Sequence, residues 1–231
     1  MKTFTAEHTK SIRLFPNGFS LLKNENNTVI SKDYYATPYS FLAQNAIAFF
    51  NTGDPDKSGI MVMDDIHPPV LIPKELFEGD NAIDYLKLQY QIEEPVKIYQ
   101  DELGEYISLY FVKNEVVNAL DKLPATCQFK HLTTLLYDHV HQHVLSGNTP
   151  GLLTFFMHED FVDFILEKEG QIILINRFPF TTEFDVLYYT LNMVKQYGME
   201  TSTLELLLCN GTNKKIISVL KDYFPHLSII K

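Results

Sequence analysis

The residues with the most chemical potential lie in a few short stretches. His139-Val140-His141-Gln142-His143 holds three imidazoles within five residues. On a helix His139 and His143 stand one turn apart and can share one metal ion, while His141 points away. The Glu and His pattern of a zinc protease does not surround them, and they flank an apolar stripe, so they read first as boundary histidines. Asp64-Asp65 follows a strand-like run, and Glu159-Asp160 sits in a turn. Carboxylates of this kind serve two-metal hydrolysis when three or four of them converge. Placed at turns, these read as solvated acids, with Glu159 and Asp160 the secondary candidates for a cation. Cys127 and Cys209 lie in apolar runs without a neighbouring cation to stabilise a thiolate, which makes them buried hydrophobes rather than nucleophiles. The sequence contains no Gly-x-Ser-x-Gly elbow, Walker loop or Cys-x-x-Cys pair.

Charge narrows the field further. The 231 residues include 19 Lys and Arg against 29 Asp and Glu, a formal net charge of -10. Neutralising a phosphate backbone needs the opposite sign, so neither a nucleic-acid partner nor a nuclease is expected. A hydrophobic share of 45% with 21% charged residues describes a globular chain with a sizeable core, as one large domain or two small ones. Two cysteines suit a reducing cytoplasm. Met1 to Phe15 lacks the continuous apolar segment of a signal peptide, and the longest apolar runs are strand-length, so no membrane span is expected. Of the 13 Tyr and 17 Phe, local concentrations occur at Phe155-Phe156, Phe178-Pro179-Phe180 and Tyr188-Tyr189. Most fill the core, and any that form an exposed patch favour a protein partner.

These residues need elements to hold them. Ser11 to Phe15 and Phe19 to Lys23 flank Pro16-Asn17-Gly18, a hairpin signal, and a third strand lies near Asn27 to Ser31. Thr37-Pro38 opens a helix, Thr as N-cap and Pro at the first helical position, with Leu42, Ala46, Phe49 and Phe50 on its apolar face. Strands at Gly59 to Met63 and Pro69 to Ile72 follow, then a short helix from Asn81 to Tyr90 and a strand from Tyr106 to Val112. Asn114 to Leu123 reads as helix and Ala125 to Lys130 as strand. Leu132, Leu136, Val140 and Val144 recur every fourth residue in a helix from His131 to Leu145.

Ser146-Gly147-Asn148-Thr149-Pro150-Gly151 is the strongest break in the chain and sets a division into 1–148 and 149–231. The pattern then restarts. Leu152 to Met157, Phe161 to Glu167 and Gln171 to Phe178 are three strands joined by turns. Thr182, with Asp185 three residues on, caps a helix whose buried face is Leu187, Leu191 and Val194 and which Gly198 ends. Thr203 to Cys209 is a strand, Asn210-Gly211-Thr212-Asn213 a turn, Lys214 to Phe224 a helix, and His226 to Ile230 a last strand. Each half therefore opens with a meander and continues through a Thr-capped helix into alternating strands and helices. The expected fold is mixed α/β, built from duplicated β-β-β-α-β-α ribonuclease H-like units, the architecture shared by actin, sugar kinases and heat-shock chaperones. The first half is then an actin-like subdomain and the second a ribonuclease H-like one.

Several short motifs occur in a telling order. They are Ser11-Ile12-Arg13-Leu14 through Gly18-Phe19-Ser20, Leu71-Ile72-Pro73-Lys74-Glu75-Leu76-Phe77, and Lys130-His131-Leu132-Thr133-Thr134-Leu135-Leu136. Asn176-Arg177-Phe178-Pro179-Phe180 and Asp185-Val186-Leu187-Tyr188-Tyr189 complete the set. In these the chain resembles the domain of unknown function 3822 family over nearly its whole length. The resemblance implies the fold of actin-like ATPases and carries no established activity.

A nucleotide site in such a fold needs two phosphate-cradling hairpins, each with an Asp beside a Gly in its turn. The first hairpin here offers Ser11, Arg13 and Gly18 without that Asp, and the second turn, His158-Glu159-Asp160, has no Gly. The strand-to-helix turn at Asn210, Gly211 and Thr212 has the shape of an adenine contact with a single Gly, and also reads as an ordinary turn. The expectation is a cytoplasmic, catalytically inactive protein without a cofactor, acting through an unidentified protein partner and with room for a homo-oligomer. The alternative is a divergent ATP-binding protein using ATP with Mg2+, in which Gly18, Asn210, Gly211 and Thr212 meet the nucleotide and Glu159 or Asp160 the cation.

Overall fold

A computed structural model describes residues 10–25, 28–50, 59–143, 150–209 and 213–230. The chain divides into two compact units, Met1–Val144 and Leu145–Lys231. The boundary expected at 148/149 falls on residues 144–149, outside the described residues, as do Asn210, Gly211 and Thr212.

The first unit begins with a meander: β1 (Lys10–Phe15), β2 (Gly18–Glu25) and β3 (Thr28–Tyr35). Helix α1 (Leu42–Phe50) leads to β4 (Ile60–Asp64), and α3 (Asn114–Leu120), β8 (Cys127–His131) and α4 (Leu132–His143) close the unit. The sheet order is β3-β2-β1-β4-β8, antiparallel across the meander and parallel from β1 through β4 to β8. Alternation sends Ile12, Leu14, Phe19, Leu21, Ile60 and Val62 to one face. There they meet Leu42, Ala46 and Phe50 of α1 and Val116 and Leu120 of α3. Parallel neighbours need crossovers, and the helices supply both the connection and the apolar cover.

The second unit repeats this plan. It runs β9 (Gly151–Met157), β10 (Phe161–Lys168), β11 (Gln171–Pro179), α5 (Glu183–Gln196), β12 (Glu205–Cys209), α6 (Lys214–Tyr223) and β13 (Leu227–Ile230). Its sheet order, β11-β10-β9-β12-β13, is that of the first unit strand for strand, with the same directions. Leu153, Phe155, Val162, Phe164, Leu206 and Leu208 pack against Val186, Leu187, Met193 and Val194 of α5 and Ile216 and Leu220 of α6. Helix α5 has the expected capping box: the Asp185 carboxylate accepts from the Thr182 amide at 2.7 Å. Gly198, at φ +62°, lets the chain turn back so that the Met199 amide reaches the Val194 carbonyl.

The first unit also carries an insertion between β4 and α3. Strands β5 (Val70–Pro73), β6 (Val96–Leu103) and β7 (Tyr106–Lys113) form a sheet of order β5-β7-β6, backed by α2 (Ala82–Lys87). Ile72, Leu86, Leu109 and Phe111 form its own small core. In the second unit β12 passes to α6 with no such sheet among the described residues.

Three expectations change. Strand β6 was not anticipated, because charged and polar residues interrupt its apolar positions. Strand β3 extends well past Ser31, to Tyr35. Thr37 does not cap α1: Pro38 stands at the N-cap of a 3-10 turn, Tyr39–Phe41, with no side-chain cap, and the Tyr39 hydroxyl instead donates to the Phe15 carbonyl at 2.5 Å. Among the described residues no helix is long and apolar enough to cross a membrane.

Candidate functional site in the strand-end turns of each unit

The chemistry anticipated for this fold belongs to the turns after β1 and β9 and to the ends of the parallel strands. In the first unit Gly18 opens β2 at φ +150°. A Cβ there would lie 2.1 Å from the Tyr35 carbonyl oxygen and 3.2 Å from the Ala36 Cα. The missing side chain thus makes room for the end of β3, so the glycine serves close backbone packing.

Asp64 and Asp65, read as solvated turn acids, are both buried, 0% and 1% exposed. The reason is the register of β4. Asp64 pairs with Leu14 inside the sheet, and the Asp65 amide continues the ladder by donating to the Leu14 carbonyl at 3.0 Å. Arg13, on the non-core face of β1, donates to Asp65 Oδ2 from Nε at 3.1 Å and from Nη2 at 2.5 Å. Asp64 Oδ2 lies 4.0 Å from His131 Nε2. Burial first, then the charges of Asp64 and Asp65, push the Tyr39 phenol well above its usual range.

The second unit fills the corresponding region differently. The His158 amide donates to the Phe161 carbonyl at 3.0 Å, closing the β9–β10 turn, and Glu159 and Asp160 are exposed on its tip. Asp163, buried in β10, sits opposite Arg177 of β11. Arg177 donates from Nε to Oδ1 at 2.6 Å and from Nη2 to Oδ2 at 2.8 Å, and His158 Nε2 stands 3.0 Å from Oδ2. The Arg177 guanidinium and the His158 ring both lie against the Phe161 ring, at 4.0 and 4.1 Å from its centroid. Burial would raise the Asp163 carboxyl, but the hydrogen bonds and charges of His158 and Arg177 outweigh it and hold it below the usual range.

At the start of α6, Asn213 accepts from the Lys215 and Ile216 amides at 3.1 and 3.3 Å. Two N-terminal amides that would otherwise face an anion are thereby satisfied by the chain itself. Of the histidine cluster, His139 is half-buried on α4, His141 lies against the Tyr137 ring at 4.1 Å, and the His143 side chain is outside the described residues. Burial pushes both thiols up, Cys127 to about 11 and Cys209 to about 12, which favours their protonated form at neutral pH.

Sequence reasoning missed Asp163, Arg177, His131 and the capping role of Asn213. A lone Asp inside the apolar run of β10 signalled that a cation must meet it, because an unpaired buried carboxylate is too costly. Asn213, directly before an amphipathic run, carried the usual mark of an N-cap.

Two five-stranded sheets of identical order, each with its crossover helices, define a protein of actin-like ATPase fold. It is similar to a protein of that fold and unknown function from Bacteroides thetaiotaomicron VPI-5482, at 22% identity and a TM-score of 0.77, over 100% of this chain and 94% of that one. The chain belongs to the family described as Protein of unknown function (DUF3822), whose model matches residues 8–227. It is also similar to a chain of the PilM-PilN type IV pilus biogenesis complex, at 11% identity and a TM-score of 0.58, over 98% of this chain and 88% of that one. No curated protein matches it.

Proposed function

We propose that this chain is a catalytically inactive member of the actin-like fold that acts through contacts with another protein. The observation that carries the reading is Gly18, the glycine best placed to admit a phosphate, whose open side is taken by the Tyr35 carbonyl at the distance of a steric clash with any Cβ. Two further facts support it. Arg177 and His158, the basic side chains beside the second turn, are bonded to Asp163, and Asn213 caps the helix that a nucleotide would approach. The PilM-PilN complex offers a precedent of the same fold in a protein assembly. Phe184 and Tyr188, one turn apart on α5 and 62% and 64% exposed, are apolar surface of the kind that partners cover. On this reading the protein works in the cytoplasm, without a cofactor, as two halves dividing at 148/149, and self-association is compatible with it.

Thermal denaturation with ATP and Mg2+, with Mg2+ alone and with neither tests the proposal against the ATP-binding alternative. A ligand that binds only the folded chain raises its midpoint. The expected result is three coincident curves and no release of phosphate from labelled ATP. A saturable rise with ATP and Mg2+ accompanied by turnover overturns the reading.

A further inference from the structure

His131 ends β8, immediately precedes α4, and is completely buried. Its Nδ1 lies 3.1 Å from the Thr133 amide nitrogen, which can only donate, so Nδ1 carries no proton. Its Nε2 lies 2.8 Å from the His67 carbonyl, which can only accept, so Nε2 carries the hydrogen. The neutral Nε2–H tautomer follows from these two partners alone. His131 is thus the N-cap of α4, with a ring nitrogen in the place of the usual oxygen. Its own amide donates to Asp101 Oδ2 on β6 at 2.7 Å, and its ring meets the edge of Tyr110 on β7 at 5.2 Å. One residue therefore ties β8 and α4 of the five-stranded sheet to the β4–β5 connection and to both long strands of the inserted sheet.

We propose that His131 is an acid-sensitive pin: protonation of its ring releases the first turn of α4 and loosens the inserted sheet β5-β7-β6 from the sheet that carries it. The arriving proton has only Nδ1 to occupy, and there it sets an N–H against the Thr133 N–H. It also places a positive charge in a buried ring at the positive end of α4. Tyr110 from β7 and the His67 carbonyl meet the ring, and Asp64 from β4 lies 4.0 Å from Nε2; Asp101 from β6, itself 3.6 Å from Lys130 of β8, holds the His131 amide rather than the ring. Asp64 attracts the charge, but it stands beside Nε2, which is already protonated, and cannot restore the cap lost at Nδ1. The proposal does not depend on the functional reading above.

Amide exchange of the intact chain, corrected for intrinsic rates, tests it alongside the ring nitrogen signals of His131, from about pH 7.5 to about pH 5. The expected result is a joint loss of protection at the Thr133 and His131 amides as pH falls, up to about tenfold per pH unit while the opened ring binds a proton that the closed ring does not, and levelling off once both are protonated. The ring signals pass from the Nε2–H form to imidazolium as the loss reaches its plateau. His131→Asn keeps a capping acceptor and removes the titration, so its Thr133 protection stays constant across that range. Unchanged protection in the natural chain overturns the proposal, as does an equal loss in His131→Asn. Should that variant fail to fold, the natural chain decides alone: ring titration without any amide loss overturns it.

Discussion

Arg177 and Asp163 face each other across β11 and β10 and are joined by two hydrogen bonds, Nε to Oδ1 at 2.6 Å and Nη2 to Oδ2 at 2.8 Å. The pair closes the second meander where an open anion cradle would otherwise be sought. Removing one partner leaves the other buried with its charge poorly compensated. Arg177→Met is therefore expected to cost about 3–5 kcal/mol in urea unfolding. The double variant Arg177→Met with Asp163→Leu recovers much of that loss, because the orphaned charge goes as well. A double variant no more stable than Arg177→Met alone contradicts the account.

The same pair sets an acid limit. The Asp163 carboxyl is held below its unfolded value, so its stabilisation is fully present above the unfolded pKa of about 3.9 and is lost as pH falls through the folded value. The unfolding midpoint is expected to drop below about pH 4 with proton uptake that Asp163→Asn lacks. Identical acid profiles for the two chains would remove Asp163 from the cause.

Gly18→Ala probes the first hairpin. The added Cβ would meet the Tyr35 carbonyl oxygen at 2.1 Å, so backbone must move. A loss of about 2–4 kcal/mol is expected in thermal or urea unfolding, against less than about 0.5 kcal/mol for an ordinary surface substitution. A variant as stable as the natural chain would show that the turn is roomy enough to admit a ligand, which also weakens the functional proposal.

Asp185→Ala removes the carboxylate that accepts from the Thr181 and Thr182 amides at 2.9 and 2.7 Å. Those backbone hydrogen bonds hold its pKa below the usual range, so the cap contributes above the unfolded value and fades as pH falls. The variant is expected to melt lower than the natural chain at neutral pH, with the gap closing in acid. A gap that stays constant with pH would mean the charge is not what caps α5.

Cys127 and Cys209 are expected to react with a thiol reagent only on unfolding. Burial raises them to about 11 and about 12, so near pH 8 the thiolate fraction is on the order of one in a thousand or less. Native labelling as fast as in denaturant would contradict this.

Much of the fold was legible locally. Apolar alternation marked β9, β10 and β11, Thr182 and Asp185 marked the start of α5, and Gly198 marked its end. The restart of the same pattern after residue 150 announced the repeated unit. Strand β6 escaped because polar residues break its apolar pattern, and its burial comes from the sheet it joins. In sequence Asp64 and Asp65 look like turn acids, because two carboxylates after a strand usually meet water. Here β4 runs one residue deeper between β1 and β8, and Arg13 supplies the counter-charge.

By itself, then, the order of residues determined the succession of elements and their repetition, since periodicity and capping act over a few neighbours. Which charges meet was settled only in three dimensions. Asp163 finds Arg177 through the register of β10 with β11, and His131 finds His67, Asp101 and Tyr110 from three separate stretches of chain. Such contacts depend on how strands align once their apolar faces are buried, and no local pattern encodes that alignment.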